Sequence, residues 1–203
     1  EMTPAQEDPR EGHGAEEELR RHRIAKLERV RARGDEPFQY RCDRSHRIGE
    51  ARAAFEAAEA AAGPDADPQA ELPGAALAGR VTARRVQAKS AFLDLRDDTG
   101  RIQLFFGEKQ VGPEMYETLD DLDIGDFLRV EGTVKRTRRG EITLFAAGYS
   151  LLTKSLRPGA EKWHGLSDVE TRYRRRYLDM VANPEVLDTF KRRVRVVSVM
   201  REW

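Results

Sequence analysis

Apolar residues recur with a helical period at both ends of the chain and alternate with polar ones through its middle. From Ala15 to Arg33, Leu19, Ile24, Leu27 and Val30 form a thin stripe. Glu16–Glu18 open this predicted helix and Arg29, Arg31 and Arg33 close it, the order its dipole favours. Gly34 stands where a C-terminal cap belongs. Residues 1–14 are polar, contain Gly and Pro, lack any period, and are expected to be disordered. Asp35–Arg47 reads as an extended connector, Ile48–Ala62 as an alanine-rich helix stopped by Gly63-Pro64, and residues 63–74 as a loop. Far downstream, Ser167-Asp168-Val169-Glu170 has the form of a capping box and predicts a helix through Met180 or beyond. Asn183-Pro184 then predicts a cap and first position for a last helix carrying Val186, Leu187, Phe190, Val194, Val197 and Val199.

Between these helical ends the period changes. Ala76–Val86, Ala91–Asp97, Ile102–Phe106, Phe127–Thr137 and Ile142–Tyr149 read as strands. Turns at Asp97–Gly100 and Arg138–Gly140 separate two of the pairs, and Gly112–Asp123 supplies a short helical piece opened by Pro113. Three strands, a helix and two more strands is the layout of a five-stranded OB-fold barrel, which binds oligonucleotides on its second and third strands. Composition does not separate this from another small β-barrel; the order of elements favours it. The expected class is α+β: N-terminal helices, the barrel, then further helices.

Composition narrows the function classes. Hydrophobic residues are 39% and charged residues 35% of the chain. No apolar run approaches the roughly 20 residues that span a bilayer, and no leader of the export type opens the chain. A cytoplasmic protein without a membrane partner is expected, and the single cysteine, Cys42, suits a reducing compartment. His13, His22, His46 and His164 are scattered without companions at ligand spacing, so no metal site is assigned. The zero net charge conceals an asymmetry: residues 1–71 hold 12 Lys/Arg against 17 Asp/Glu, residues 72–153 hold 12 against 12, and residues 154–203 hold 12 against 7. Arg84, Arg85 and Lys89 lie apart in sequence from the acidic stretch Asp120–Asp126. Phosphate contact needs local positive charge of that kind, not a global excess.

Four residues of the predicted barrel suit base recognition. Alternation puts Phe92 and Asp94 on the face opposite Leu93 and Leu95, where an aromatic ring can serve as a stacking platform. Gln103, between Ile102 and Leu104, also points away from the core and offers an amide donor and acceptor to an unpaired base. Arg85 ends the first strand and can stack on a base or pair with a phosphate. Glu141 follows the Arg-Arg-Gly turn at the barrel rim, where a carboxylate can accept from a base N–H. Taken singly, each has an ordinary alternative: ring packing, a solvated amide, a surface charge, the start of a strand. Their convergence on one patch favours recognition.

The run Gly79-Arg80-Val81, Arg84-Arg85, Lys89-Ser90-Ala91-Phe92, Leu95-Arg96-Asp97 and Gly100-Arg101-Ile102-Gln103-Leu104 resembles the OB domain of class IIb aminoacyl-tRNA synthetases. Leu151–Pro158 and Lys162–Leu166 resemble the interdomain linker of the lysyl-tRNA synthetases within that subclass, and Asp168–Asp179 the start of their catalytic domain. The resemblance implies residues 15–71 as an N-terminal helical extension, 72–150 as the anticodon-binding domain, 151–166 as linker and 167–203 as a truncated catalytic domain. It implies tRNA-Lys as partner, with Phe92 stacking under the central uridine and Gln103, Arg85 and Glu141 bonding anticodon bases. It also implies ATP and Mg²⁺ for the complete, homodimeric enzyme, none bound by this chain, because the ATP-gripping motifs 2 and 3 would lie beyond residue 203. Both ends read as cuts, and the chain is expected to bind tRNA without charging it. The alternative is a stand-alone tRNA- or single-stranded-RNA-binding module without ligase activity. For the basic run Arg172–Arg176, inter-domain salt bridges are favoured over direct tRNA contact. Two departures stand out: Ala88 where the family usually has Gly, expected to reshape the hairpin near Phe92, and Gly159-Ala160 after Pro158, expected to loosen the linker.

Overall fold

The computed structural model describes residues 9–63, 70–157 and 168–203, with the side chains of 9–13 and 15 excepted. The chain forms two compact units, residues 1–158 and 159–203. In the first, β1 (Leu72–Val86), β2 (Ser90–Arg96), β3 (Arg101–Gly107), β4 (Phe127–Arg136) and β5 (Ile142–Thr153) close a barrel in the order β1-β2-β3-β5-β4. All neighbours are antiparallel except β3 and β5. The predicted alternation fills the interior: Leu93 and Leu95 of β2, Ile102, Leu104 and Phe106 of β3, and Leu144 and Ala146 of β5 are all buried. At about 25 cal/mol per Å² of apolar area removed from water, this packed interior is the main favourable term for the unit.

Every predicted strand is present, and three are longer than expected, β3 by one residue at each end. Strand β1 starts at Leu72, and β5 continues through Thr153 into the expected connector. The extension of β5 follows from pairing: Leu151 faces Leu128, Thr153 faces Phe127, and Gln39 N–H donates to the Leu152 carbonyl at 2.9 Å. The single helical piece expected at Gly112–Asp123 is instead α3 (Glu108–Val111), α4 (Pro113–Thr118) and a 3₁₀ turn, Leu119–Asp121. Gly112, at φ 86°, separates α3 from α4, and Leu119 and Leu122 join the barrel core.

Helix α1 (Pro9–Ala32) begins six residues before Ala15, so residues 9–14, expected to be disordered, are helical; residues 1–8 lie outside the described ones. Once nucleated by its packed half, a helix extends cheaply, and Pro is tolerated in its first turn. That packed half buries Leu27 and Val30. It also engages the acidic stretch. Lys26 Nζ donates to Asp123 at 2.6 Å, and Arg29 and Arg33 to the two oxygens of Asp121 at 2.7 and 2.5 Å. Lys154, 2% exposed, donates to Asp123 and Asp126 at 2.6 and 2.7 Å. Helix α2 (Ile48–Ala62) has the predicted bounds and buries Ile48, Ala51 and Phe55 completely.

The second unit holds α5 (Val169–Arg174), α6 (Arg176–Ala182) and α7 (Pro184–Glu202). The single helix expected from Ser167 through Met180 is broken at Arg175, whose φ −118° and ψ 56° leave the helical region. Ser167 and the Gly159-Ala160 departure lie outside the described residues. The cap is Asp168, which accepts from Thr171 N–H at 2.7 Å. Asn183 holds the N-cap position of α7, but its amide donates to Asp179 rather than capping. Asp179 also takes Arg172 and Arg176, while Arg174 pairs with Glu170, so these ion pairs form locally.

Candidate nucleic-acid interface

Cross-strand register builds the outer face of β1, β2, β3 and β5 row by row. Arg85 stands opposite Phe92, Phe92 opposite Phe105, and Phe105 opposite Phe145. Paired residues share a face, so these four side chains form one row across the barrel. The rings of Phe92 and Phe105 lie 5.1 Å apart, as do those of Phe105 and Phe145, tilted by 50° and 56°. Lys135 Nζ sits 4.7 Å from the Phe145 ring centroid, within range of a cation–π contact. All three rings are half-buried, and Lys135 lies over the Phe145 ring.

A β-bulge decides where Arg85 points. Through Val81 the odd residues of β1 face the core, a parity that would carry Arg85 inward. The register shifts between Val81 and Ala83, after which Arg84 pairs with the buried Leu93 and Arg85 with Phe92. Such an extra residue re-aims every side chain beyond it. Arg85 is thereby exposed on the aromatic row and, among the described residues, has no carboxylate partner. Arg84 turns the other way and is spent on Asp120 at 2.9 Å and the Leu119 carbonyl at 3.2 Å. The expected local cluster of Arg84 and Arg85 is therefore split.

The second row runs Asp94, Gln103, Thr143 and Lys135. Thr143 Oγ1 lies 3.1 Å from Gln103 Oε1 and 3.3 Å from the Glu141 carbonyl oxygen, orienting the amide. Among the described residues the Gln103 amide nitrogen donates to no protein group, which leaves it for a ligand. Arg101 Nη1 donates to Asp94 at 3.1 Å, and its Nη2 lies 3.8 Å from Glu141 Oε1. Arg101 thus links Glu141 to the row. Arg138 and Arg139, in the adjacent β4–β5 turn, are exposed and have no carboxylate partner among the described residues. Ala88 brings no strain: among the described residues no side-chain-bearing residue has positive φ, so the hairpin before Phe92 does not need glycine there.

All four residues singled out from sequence belong to this patch. Phe105, Phe145, Thr143, Arg101 and Lys135 were not singled out. Phe105 carries the same parity signal as Gln103, two positions on in one strand. Phe145 and Lys135 have no such local signal, because only the β3–β5 and β4–β5 registers bring them to the row.

An aromatic row on the second and third strands of a closed barrel, flanked by free cations, suits unpaired bases. Residues 75–152 match the family of OB-fold nucleic acid binding domains of the tRNA anticodon type. The match spans the barrel, from β1 into β5. Beyond it, the chain is 44% identical over 188 residues to the lysine–tRNA ligase of Roseiflexus castenholzii, covering 92% of this chain and 36% of that protein. It is 42% identical over 187 residues to the chloroplastic/mitochondrial lysine–tRNA ligase of Arabidopsis thaliana, covering 92% and 30%. With the enzyme of Gloeobacter violaceus it shares 40% over 194 residues, covering 93% and 38%. The chain thus matches the N-terminal, anticodon-binding portion of lysine–tRNA ligases and spans about a third of the length of these relatives. Among the described residues no three His, Cys, Asp or Glu side chains converge as metal ligands. Among the described residues no helix is long and apolar enough to cross a membrane.

Proposed function

We propose that the OB-fold domain reads the anticodon of tRNA-Lys as part of a cytoplasmic, homodimeric lysine–tRNA ligase, and that these 203 residues bind tRNA without charging it. Residues 15–71 act as its helical extension, 151–166 as linker and 167–203 as the start of a class II catalytic domain; ATP and Mg²⁺ serve the complete enzyme. The observation that carries the reading is the half-buried Phe92 ring, set in line with Arg85 and one row from a Gln103 amide held by Thr143. The ring supplies a platform for the central uridine, and a free amide donor beside it suits a carbonyl on that base's edge. Arg85 supplies a cation for phosphate or a second stacking plane. Glu141 can accept from a base N–H.

Binding to an anticodon stem-loop with UUU, compared at fixed salt with the same loop carrying a changed central base, tests this. The UUU loop is expected to bind more tightly, and Phe92→Ala to cost about 1–3 kcal/mol. Equal binding of both loops, governed by salt alone, would mean a general single-stranded-RNA module instead.

A further inference from the structure

Resting on the anticodon reading, we propose that the Glu59–Arg136 pair is a positioning device for Glu141, through which α2 sets base discrimination at the position Glu141 reads. Glu141 lies just beyond the β4–β5 turn, a short loop closed by hydrogen bonds among residues 137–141, with Thr143 Oγ1 3.3 Å from the Glu141 carbonyl oxygen. Arg136 adds an outside anchor. Its Nη1 donates to the Gly140 carbonyl at 2.6 Å, while Nε and Nη2 form a fork on the two Glu59 oxygens at 2.7 and 2.6 Å. Gly140 precedes Glu141 and has φ 86°, so its carbonyl helps set the direction in which the chain enters β5.

The same helix also holds the other side of the carboxylate. Arg52 of α2 donates to the Arg101 carbonyl at 3.2 Å, and the Arg101 guanidinium lies 3.8 Å from Glu141. Phe55, between Arg52 and Glu59 on α2, is fully buried, and the Arg136 guanidinium lies 5.8 Å from its ring centroid. Helix α2 is therefore seated in the core and reaches Arg101 through Arg52 and Gly140 through the Glu59–Arg136 pair, the two groups that flank Glu141. Glu59 and Arg136 touch no part of the aromatic row. Their effect should be confined to what Glu141 contacts, in contrast to a general loosening of the barrel.

The test measures affinities of wild type, Glu59→Gln, Arg136→Lys, Glu141→Gln and the double variant Glu59→Gln/Glu141→Gln for stem-loops changed at each anticodon base in turn. Discrimination, the ratio of matched to mismatched affinity, is the readout, because removing an acidic charge alone raises affinity for every loop alike. Glu59→Gln and Arg136→Lys should lower discrimination roughly three- to tenfold at the one position Glu141→Gln also affects, leaving the central position within about twofold. The double variant should do no more there than Glu141→Gln alone. Loss of discrimination at all positions together, no loss at all, or additive effects in the double variant would overturn the positioning role. Wild type that discriminates at no position would instead overturn the anticodon reading beneath it. Melting temperatures of each variant show whether a loss is one of folding.

Discussion

Gly132 and Gly148 lie on two facing strands of the barrel, and a methyl group would fare differently at each. A Cβ at Gly132 would strike the carbonyl oxygen of Phe145, which is backbone and cannot step aside. A Cβ on Gly148 would meet only the Glu131 side chain at 3.5 Å and the end of Met115 at 3.9 Å, ordinary contacts. Gly132→Ala is therefore expected to cost about 1–3 kcal/mol in urea denaturation, while Gly148→Ala stays near neutral. Because Phe145 ends the aromatic row, Gly132→Ala should also weaken binding of single-stranded RNA, and Gly148→Ala should not. Equal effects of the two would show that the close crossing does not govern the row. At this scale the sequence was partly legible. Parity alone placed Phe92 and Gln103 outward, since both lie in straight, regular strands. Arg85 was placed beside them although strand parity from Val81 points it inward; the bulge that rescues it has no glycine or proline to announce it.

Helix α2 shows how one element is held by another far along the chain. Its first N–H groups are satisfied from the β2–β3 turn: Ile48 N–H donates to Asp97 at 2.9 Å and Gly49 N–H to Thr99 Oγ1 at 2.8 Å. Asp97 thus does the work of an N-cap across 49 residues, placing a carboxylate at the positive end of the helix. Burial raises the Asp97 pKa, but hydrogen bonds from Ile48, Thr99 and Gly100 outweigh it and hold the group below its ordinary 3.8. A lowered carboxylate contributes stability that is full above its unfolded pKa and is lost as pH falls through the folded one. Asp97→Asn should lower stability by about 0.5–2 kcal/mol at pH 7. Its stability should also fall less steeply than wild type below the ordinary carboxylate range, as thermal melts across that range would show. Parallel acid limbs would mean that the charge of Asp97 does not hold the helix. The bounds of α2 were readable because Gly63-Pro64 stops it. The break between α5 and α6 was not, since Arg175 is a good helix former and the contacts that span the kink, Asp179 with Arg172 and Arg176 and the Arg176 guanidinium over the Tyr173 ring, have no pattern in the sequence.

The zero net charge of the chain hides two separate electrostatic systems within the barrel unit. The acidic stretch Asp120–Asp126 reads in sequence as a negative segment remote from cations, yet Lys26, Arg29, Arg33, Arg84 and Lys154 neutralise it in the fold. No local pattern could reveal this, because Lys26 and Asp123 meet across 97 residues. Burial raises the Asp123 pKa, but the ammonium groups of Lys154 and Lys26 more than offset it, so this carboxylate too is held below its ordinary value. Lys154→Met would leave Asp126, fully buried, without its cation, and should cost about 3–5 kcal/mol. The system on the face proposed to meet RNA has the opposite character: Arg85, Arg138 and Arg139 are exposed and reach no carboxylate among the described residues. Exposed charges are screened over about 8 Å at physiological salt, and buried pairs much less. Raising salt from 50 to 200 mM should therefore weaken stem-loop binding steeply, with one unit of the log–log slope lost for each phosphate-contacting Arg replaced by Ala. The melting temperature should hardly move over the same interval, because the Lys154–Asp126 pair at the centre of the acidic network is buried. A melting temperature that falls in step with affinity would show that one set of charges serves both folding and binding, and the division drawn between them would be wrong.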